Sequence, residues 1–118
     1  MTVTVHNARK PLPEGYTPIY VGRKTTYQPA FGADFSLLGN PFVINQRATR
    51  RETVILYRQW LPTRLQADTP QARALESLVE RVRSGESLLL ICWCAPLDCH
   101  ADVIKEELER LVGQAAQD

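Results

Sequence analysis

Residues 87–100, "SLLLICWCAPLDCH", govern how the rest of the chain is read. After Ser87 comes an unbroken apolar run, Leu88–Trp93, of strand length. A strand with no polar alternation is one covered on both faces, as in parallel sheets. The residues that follow turn a corner, and Val103, Ile104, Leu108 and Leu111 then recur at helical spacing before Gly113, where that helix is expected to close. All three cysteines, Cys92, Cys94 and Cys99, lie in this corner together with His100, one of only two histidines.

The preceding segments alternate in type. "DTPQ", residues 68–71, opens a helix with Thr69 as N-cap and Pro70 at the first helical position. Leu75, Leu78, Val79 and Val82 give it one apolar face, and Ser84–Gly85 stop it. Before it, Thr49 and Glu52 form a capping box, followed by Val54, Tyr57 with Leu56 beside it, Leu61 and Leu65. Pro62 is expected to kink or end this helix near Leu61. "TVTVH", residues 2–6, reads as an edge strand, "KPLPEGY", residues 10–16, as a turn, and "TPIYVGR", residues 17–23, as a second strand. Residues 24–46 read as one long loop, and loops of that length are often functional. The order β, β, loop, α, α, β, α predicts one α/β domain over residues 1–118. We expect a small three-layer α/β sandwich whose short, mostly parallel, Rossmann-like sheet centres on strands 17–22 and 87–93.

Bulk properties narrow the function classes. A chain of 118 residues buries roughly two thirds of its unfolded surface and needs no disulfide or metal to fold. A net charge of +1 creates no field that favours nucleic acid or anionic membrane. No run approaches the roughly twenty apolar residues of a membrane span. "MTVTVHNARK" lacks the apolar region of a signal peptide, so a cytoplasmic location with reduced thiols is expected. The odd cysteine count agrees with that.

In open α/β sheets, ligands gather beyond the carboxyl ends of the strands. Gly22–Arg23 and Cys94–His100 should meet there. With Asp98 as N-cap, Cys99 and His100 would occupy the first helical turn, where free N–H groups and the helix dipole favour thiolate and bound anions. Arg23 could add bidentate hydrogen bonds to an anion. Cys92, inside the strand, is better read as core packing. No cofactor is implied. A Cys₃His zinc site of Cys92, Cys94, Cys99 and His100 is the metal alternative. Its spacing is poor, because adjacent Cys99 and His100 on a helix point about 100° apart.

Two further stretches carry chemistry. "LLGNPF", residues 37–42, is a turn that can present backbone N–H groups or the Asn40 amide to a ligand, or else simply anchor Phe42 in the core. "QRATRRETVILYRQW", residues 46–60, sets Arg47, Arg50, Arg51 and Arg58 against Glu52 alone; a solvated basic face is the favoured reading. Tyr57 and Trp60 belong to the core, which leaves a poor nucleic-acid signature. "GRKTTYQPAFG", residues 22–32, matches neither a P-loop nor a dinucleotide fingerprint.

"YVGR" (20–23), "LLGNPF" (37–42), "YRQWL" (57–61) and "CWCAPLDCHADVI" (92–104) follow one another as in a family of small bacterial and phage proteins, and the chain resembles that family, domain of unknown function 4326, over about residues 17–104. Ala101 stands where members of that family usually have glycine. The C-terminal element is also similar to an uncharacterised family with Pro-x-x-Cys-His-Arg, whose arginine Ala101 likewise replaces. The resemblance implies one functional unit comprising Gly22, Arg23, Gly39, Asn40, Pro41, Cys94, Cys99 and His100, and supplies no reaction.

Two function classes lead. One is an enzyme on a nucleotide-like or other anionic small molecule: Arg23 and the helix N-terminus would bind the anion, His100 would act as acid/base, and Cys99 or Cys94 as nucleophile. Asp34 and Asp98 are available as orienters. The other is a sensor or binding module that takes such a ligand without chemistry. A nucleic-acid-associated accessory protein using the arginine-rich helix is third. Oligomeric state is not legible in these patterns.

Overall fold

The apolar run becomes a strand, Leu88–Cys92, in which all five residues are buried. The structure is a computed structural model that describes residues 3–23, 33–42, 49–93, 97 and 99–117. Its elements are β1 (Val3–Asn7), β2 (Thr17–Tyr20), β3 (Ala33–Asp34), a 3₁₀ turn (Ser36–Leu38), α1 (Arg50–Leu65), α2 (Pro70–Arg83), β4 (Leu88–Cys92) and α3 (His100–Gln117). The strands form one sheet in the order β1-β4-β2-β3, every pair parallel. β4 therefore has a hydrogen-bonded neighbour on each side and side chains packed on both faces, the environment its composition requires. β1 lies at an edge, as its sequence suggested. The chain is an α/β protein.

One face of the sheet presents Ile19, Val21, Leu88, Leu90 and Cys92 to the helices. They pack with Tyr57 and Leu61 of α1, with Leu75, Leu78 and Val82 of α2, and with Ala101, Ile104 and Leu108 of α3. Tyr20, Leu89 and Ile91 point the other way, onto Ala8, Tyr16 and Trp93. The covering there comes from connecting segments. Residues 8–16 must carry the chain from the carboxyl end of β1 to the amino end of β2, and β4 lies between those strands. That connection crosses the sheet on the face the helices leave open, and its two ends, Ala8 and Tyr16, pack there. The described helices include none long and apolar enough to cross a membrane.

Three local expectations need correction. α1 continues through Pro62 to Leu65 instead of ending near Leu61, with Gln66 N–H bonded to the Pro62 carbonyl at 3.2 Å. Proline there forfeits one hydrogen bond near the helix end, while Leu61 and Leu65 still pack on the core. α3 runs past Gly113 to Gln117. Glycine within a helix costs only about 1 kcal/mol against alanine, and alanines follow it. Within the expected loop, Ala33–Asp34 pairs with Ile19–Tyr20 as a fourth strand and Ser36–Leu38 form the 3₁₀ turn.

Candidate functional site

β2 ends where Val21 N–H bonds to the Ile91 carbonyl at 3.0 Å, and Gly22 and Arg23 leave the sheet from there. β4 ends one strand away, and α3 begins at His100. The position directly before the helix is held by Cys99. Asp102, three residues on, accepts from the Cys99 N–H at 3.2 Å, half of a capping box in which cysteine stands where serine or threonine is usual. The Cys99-x-x-Asp102 spacing is a legible signal, and it identifies Asp102 as part of the site. Asp98 and Cys94 lie outside the described residues.

His100 reaches back to β2. Its Nε2 lies 2.6 Å from the Val21 carbonyl oxygen, an acceptor only, so Nε2 carries the proton and donates. Nδ1 then holds the lone pair, and the Cys99 Sγ stands 3.5 Å from it, so the thiol is the donor of that pair. Burial is the main force lowering the imidazole pKa, to about 4, and the Arg23 charge adds to it, while the Val21 bond works in the opposite direction. The ring is neutral at pH 7. Tyr57 packs edge-on against it with centroids 5.3 Å apart. Burial, aided by Cys99, also raises the Tyr57 pKa, so its hydroxyl keeps its proton and donates to the Leu38 carbonyl at 2.7 Å.

The "LLGNPF" turn is tied to the same place. Arg23 Nε donates to the Asn40 carbonyl at 2.7 Å, and a second guanidinium nitrogen donates to the Phe42 carbonyl. The Asn40 side chain is itself engaged at both ends, giving Nδ2–H to the Thr53 carbonyl at 3.2 Å and accepting at Oδ1 from Phe42 N–H at 2.9 Å. Gly39 is needed for space: a Cβ there would stand 2.8 Å from the Ser36 oxygen and 3.1 Å from the Arg23 Cα. A Cβ on Gly22 would meet the Tyr20 ring, whose hydroxyl donates to the Arg23 carbonyl and accepts from Trp93 Nε1. Pro41 is exposed, and Phe42 packs edge-on with Trp60.

Gly22, Arg23, Gly39, Asn40, Cys99 and His100 thus share one end of the sheet. Asn40 is 5% exposed, His100 7% and Cys99 2%, and the polar groups of Arg23, Asn40 and His100 are directed largely at backbone carbonyls. The open space lies beside them. A cavity of about 470 Å³ between α1 and α3 is lined by Arg51, Val54, Ile55, Arg58, Cys99, Asp102, Lys105 and Glu106. Cys99 is the one described candidate residue that reaches it. Arg58 is paired with Glu106, a bond that also raises its pKa, and Lys105 with Glu109. Arg51 has no ion pair among the described residues. The arginine-rich stretch, read as a solvated face, therefore also forms one wall of this cavity.

As to metal, among the described residues no group of three or more His, Cys, Asp or Glu side chains is placed to hold an ion. Cys92 packs in the core, Cys94 is outside the described residues, and both ring nitrogens of His100 are engaged.

Neither a curated protein nor a solved structure matches the chain. The family model described as Domain of unknown function (DUF4326) matches residues 5–110, a stretch that runs from β1 into α3 and holds every segment meeting at His100. The chain belongs to the DUF4326 family.

Proposed function

We propose that this protein acts in the cytoplasm on an anionic small molecule, nucleotide-like or otherwise phosphorylated, held in the cavity between α1 and α3, where it meets the Cys99–His100 pair. The observation that carries this reading is the geometry of that pair. A thiol on the cavity wall faces an imidazole lone pair, and the Val21 carbonyl fixes the tautomer. Nucleophile, base and orienter in that sequence form the arrangement by which a thiol is activated. In the resting state the pair is a thiol and a neutral ring. Transfer of the thiol proton from Sγ to Nδ1 would give a thiolate beside an imidazolium, and Arg51 and the amino end of α3, which attract the bound anion, also favour that thiolate.

The deep burial of Cys99 and His100 supports a second reading, a sensor that binds the same ligand without turnover. The nucleic-acid reading has the least support, because Glu106 engages Arg58. Calorimetric titration with nucleotides, sugar phosphates and inorganic phosphate, paired with product analysis, separates these. Saturable binding weakened at least about tenfold by Arg51→Ala, with turnover lost in Cys99→Ser, supports the enzyme. Binding that yields no product and survives Cys99→Ser identifies the sensor. If no anion in the panel saturates the folded protein, the cavity reading is wrong.

A further inference from the structure

The sheet has two edges, and they are built differently. β3 is two residues long and carries Asp34; so short and charged an edge offers an incoming strand little to pair with. β1 is five residues long and keeps an unbroken register with β4, from Val3 opposite Leu88 to Asn7 opposite Cys92. It has no proline, lysine or bulge, the devices by which edge strands resist pairing. Ala8 N–H bonds to the Cys92 carbonyl at 2.7 Å. By the two-residue alternation of a strand, Thr4 and His6 also turn their amides toward β4, and Val3 and Val5 turn theirs outward. No described strand pairs with that outer side. Beside it a groove of about 550 Å³ is lined by Val3, Thr4, Val82, Lys105, Glu109 and Val112.

We propose that a second copy of the chain docks on this edge, β1 against β1 in antiparallel register about Val5, so that the sheet continues across a two-fold axis. A register centred on Val5 lets its outward N–H and C=O exchange both bonds with Val5 of the partner subunit. The groove's charge argues for a copy of this chain over a foreign peptide. Lys105 and Glu109 balance each other, so the face has no net sign with which to recruit a charged partner. Across a two-fold axis, each Lys105 meets a face that carries Glu109, and the reverse. Within one chain they now pair at 3.0 Å with side chains 37% and 54% exposed, a contact that exchanges between copies at little cost.

Sedimentation of the full chain from about micromolar to about millimolar concentration tests this directly. A monomer–dimer equilibrium is expected. Glu109→Lys should weaken it by about tenfold, a loss of about 1.4 kcal/mol, and Lys105→Glu combined with Glu109→Lys should restore it. Val5→Pro removes the outward N–H and should abolish the dimer. If that variant misfolds, hydrogen exchange on the native chain replaces it, with Val3 and Val5 amide protection expected to rise with protein concentration. A monomer at every concentration overturns the proposal, as does a dimer indifferent to Glu109→Lys whose Val3 and Val5 amides exchange at the same rate at all concentrations.

Discussion

His100 and Val21 are 79 residues apart in sequence, and the imidazole Nε2–H of one donates to the carbonyl of the other across 2.6 Å. This bond fastens the first residue of α3 to the chain leaving β2. It also fixes the tautomer of the ring, which burial against Tyr57 holds neutral although the Val21 bond by itself favours the protonated form.

The pH dependence of stability follows from that. The folded pKa of His100, about 4, lies below the 6.5 of an unperturbed histidine, so between these values the unfolded chain binds the proton and the folded chain does not. The contribution is complete above about pH 6.5 and is lost as pH falls toward 4. The loss amounts to roughly 3 kcal/mol at most. Urea unfolding measured from pH 8 to pH 4 should show this slope, and His100→Gln should flatten it within that window. An equal slope in both proteins would mean that other groups carry it.

Asn40 acts through both ends of its amide. Asn40→Ala removes the second bond to the Thr53 carbonyl, which keeps its place in the α1 ladder, and leaves the half-buried Phe42 N–H without its acceptor, with an expected cost of about 1–2 kcal/mol. Asn40→Asp keeps an acceptor for Phe42 but turns a carboxylate oxygen toward the Thr53 carbonyl, and should be at least as damaging. Chemical denaturation of both variants gives the comparison; near-wild-type stability of Asn40→Asp would contradict the assignment of Nδ2 to Thr53.

Gly39 has backbone angles that any residue adopts, φ −61° and ψ 153°, so conformational strain cannot explain its presence. Space does. Gly39→Ala drives a methyl group against the Ser36 carbonyl and the Arg23 backbone, and should destabilise by about 1–3 kcal/mol. A thermal melt shifted by less than a degree would show that the two loops part without effort.

Pro62 offers the opposite sign. It is exposed within α1 and cannot bond back to the Arg58 carbonyl. Pro62→Ala restores that bond and should raise the unfolding free energy by about 1 kcal/mol, a discount on the full helix-interior penalty because it lies in the last turn. A lower melting temperature would mean that the proline's restriction of the unfolded chain outweighs the bond.

Much of the fold was legible because local chemistry imposes it. The Thr49–Glu52 capping box and the Thr69 cap before Pro70 stand where their residue types required. The apolar run at 88–92 is the strand with a neighbour on each side. The 33–34 strand was not legible, since two residues carry no period and pairing with β2 alone makes them a strand. The extensions of α1 and α3 were missed for a related reason: proline and glycine signal an end only where nothing else holds the helix, and packing of Leu61 and Leu65 holds α1.

For the site, residue types and their order along a parallel α/β chain were enough to expect Arg23, Cys99 and His100 at one end of the sheet, because strands and helices of that order leave their connections there; Asn40 joined them only through the resemblance to the family. Which way those side chains face was a tertiary matter. The partners of Arg23, Asn40 and His100 are the carbonyls of Asn40, Phe42, Thr53 and Val21. Every residue has a carbonyl, so no sequence marks the ones that will accept. Only packing decided that Asn40 and His100 turn inward while Arg23 lies exposed across the Asn40 and Phe42 carbonyls, and that Cys99 borders the cavity beside Arg51.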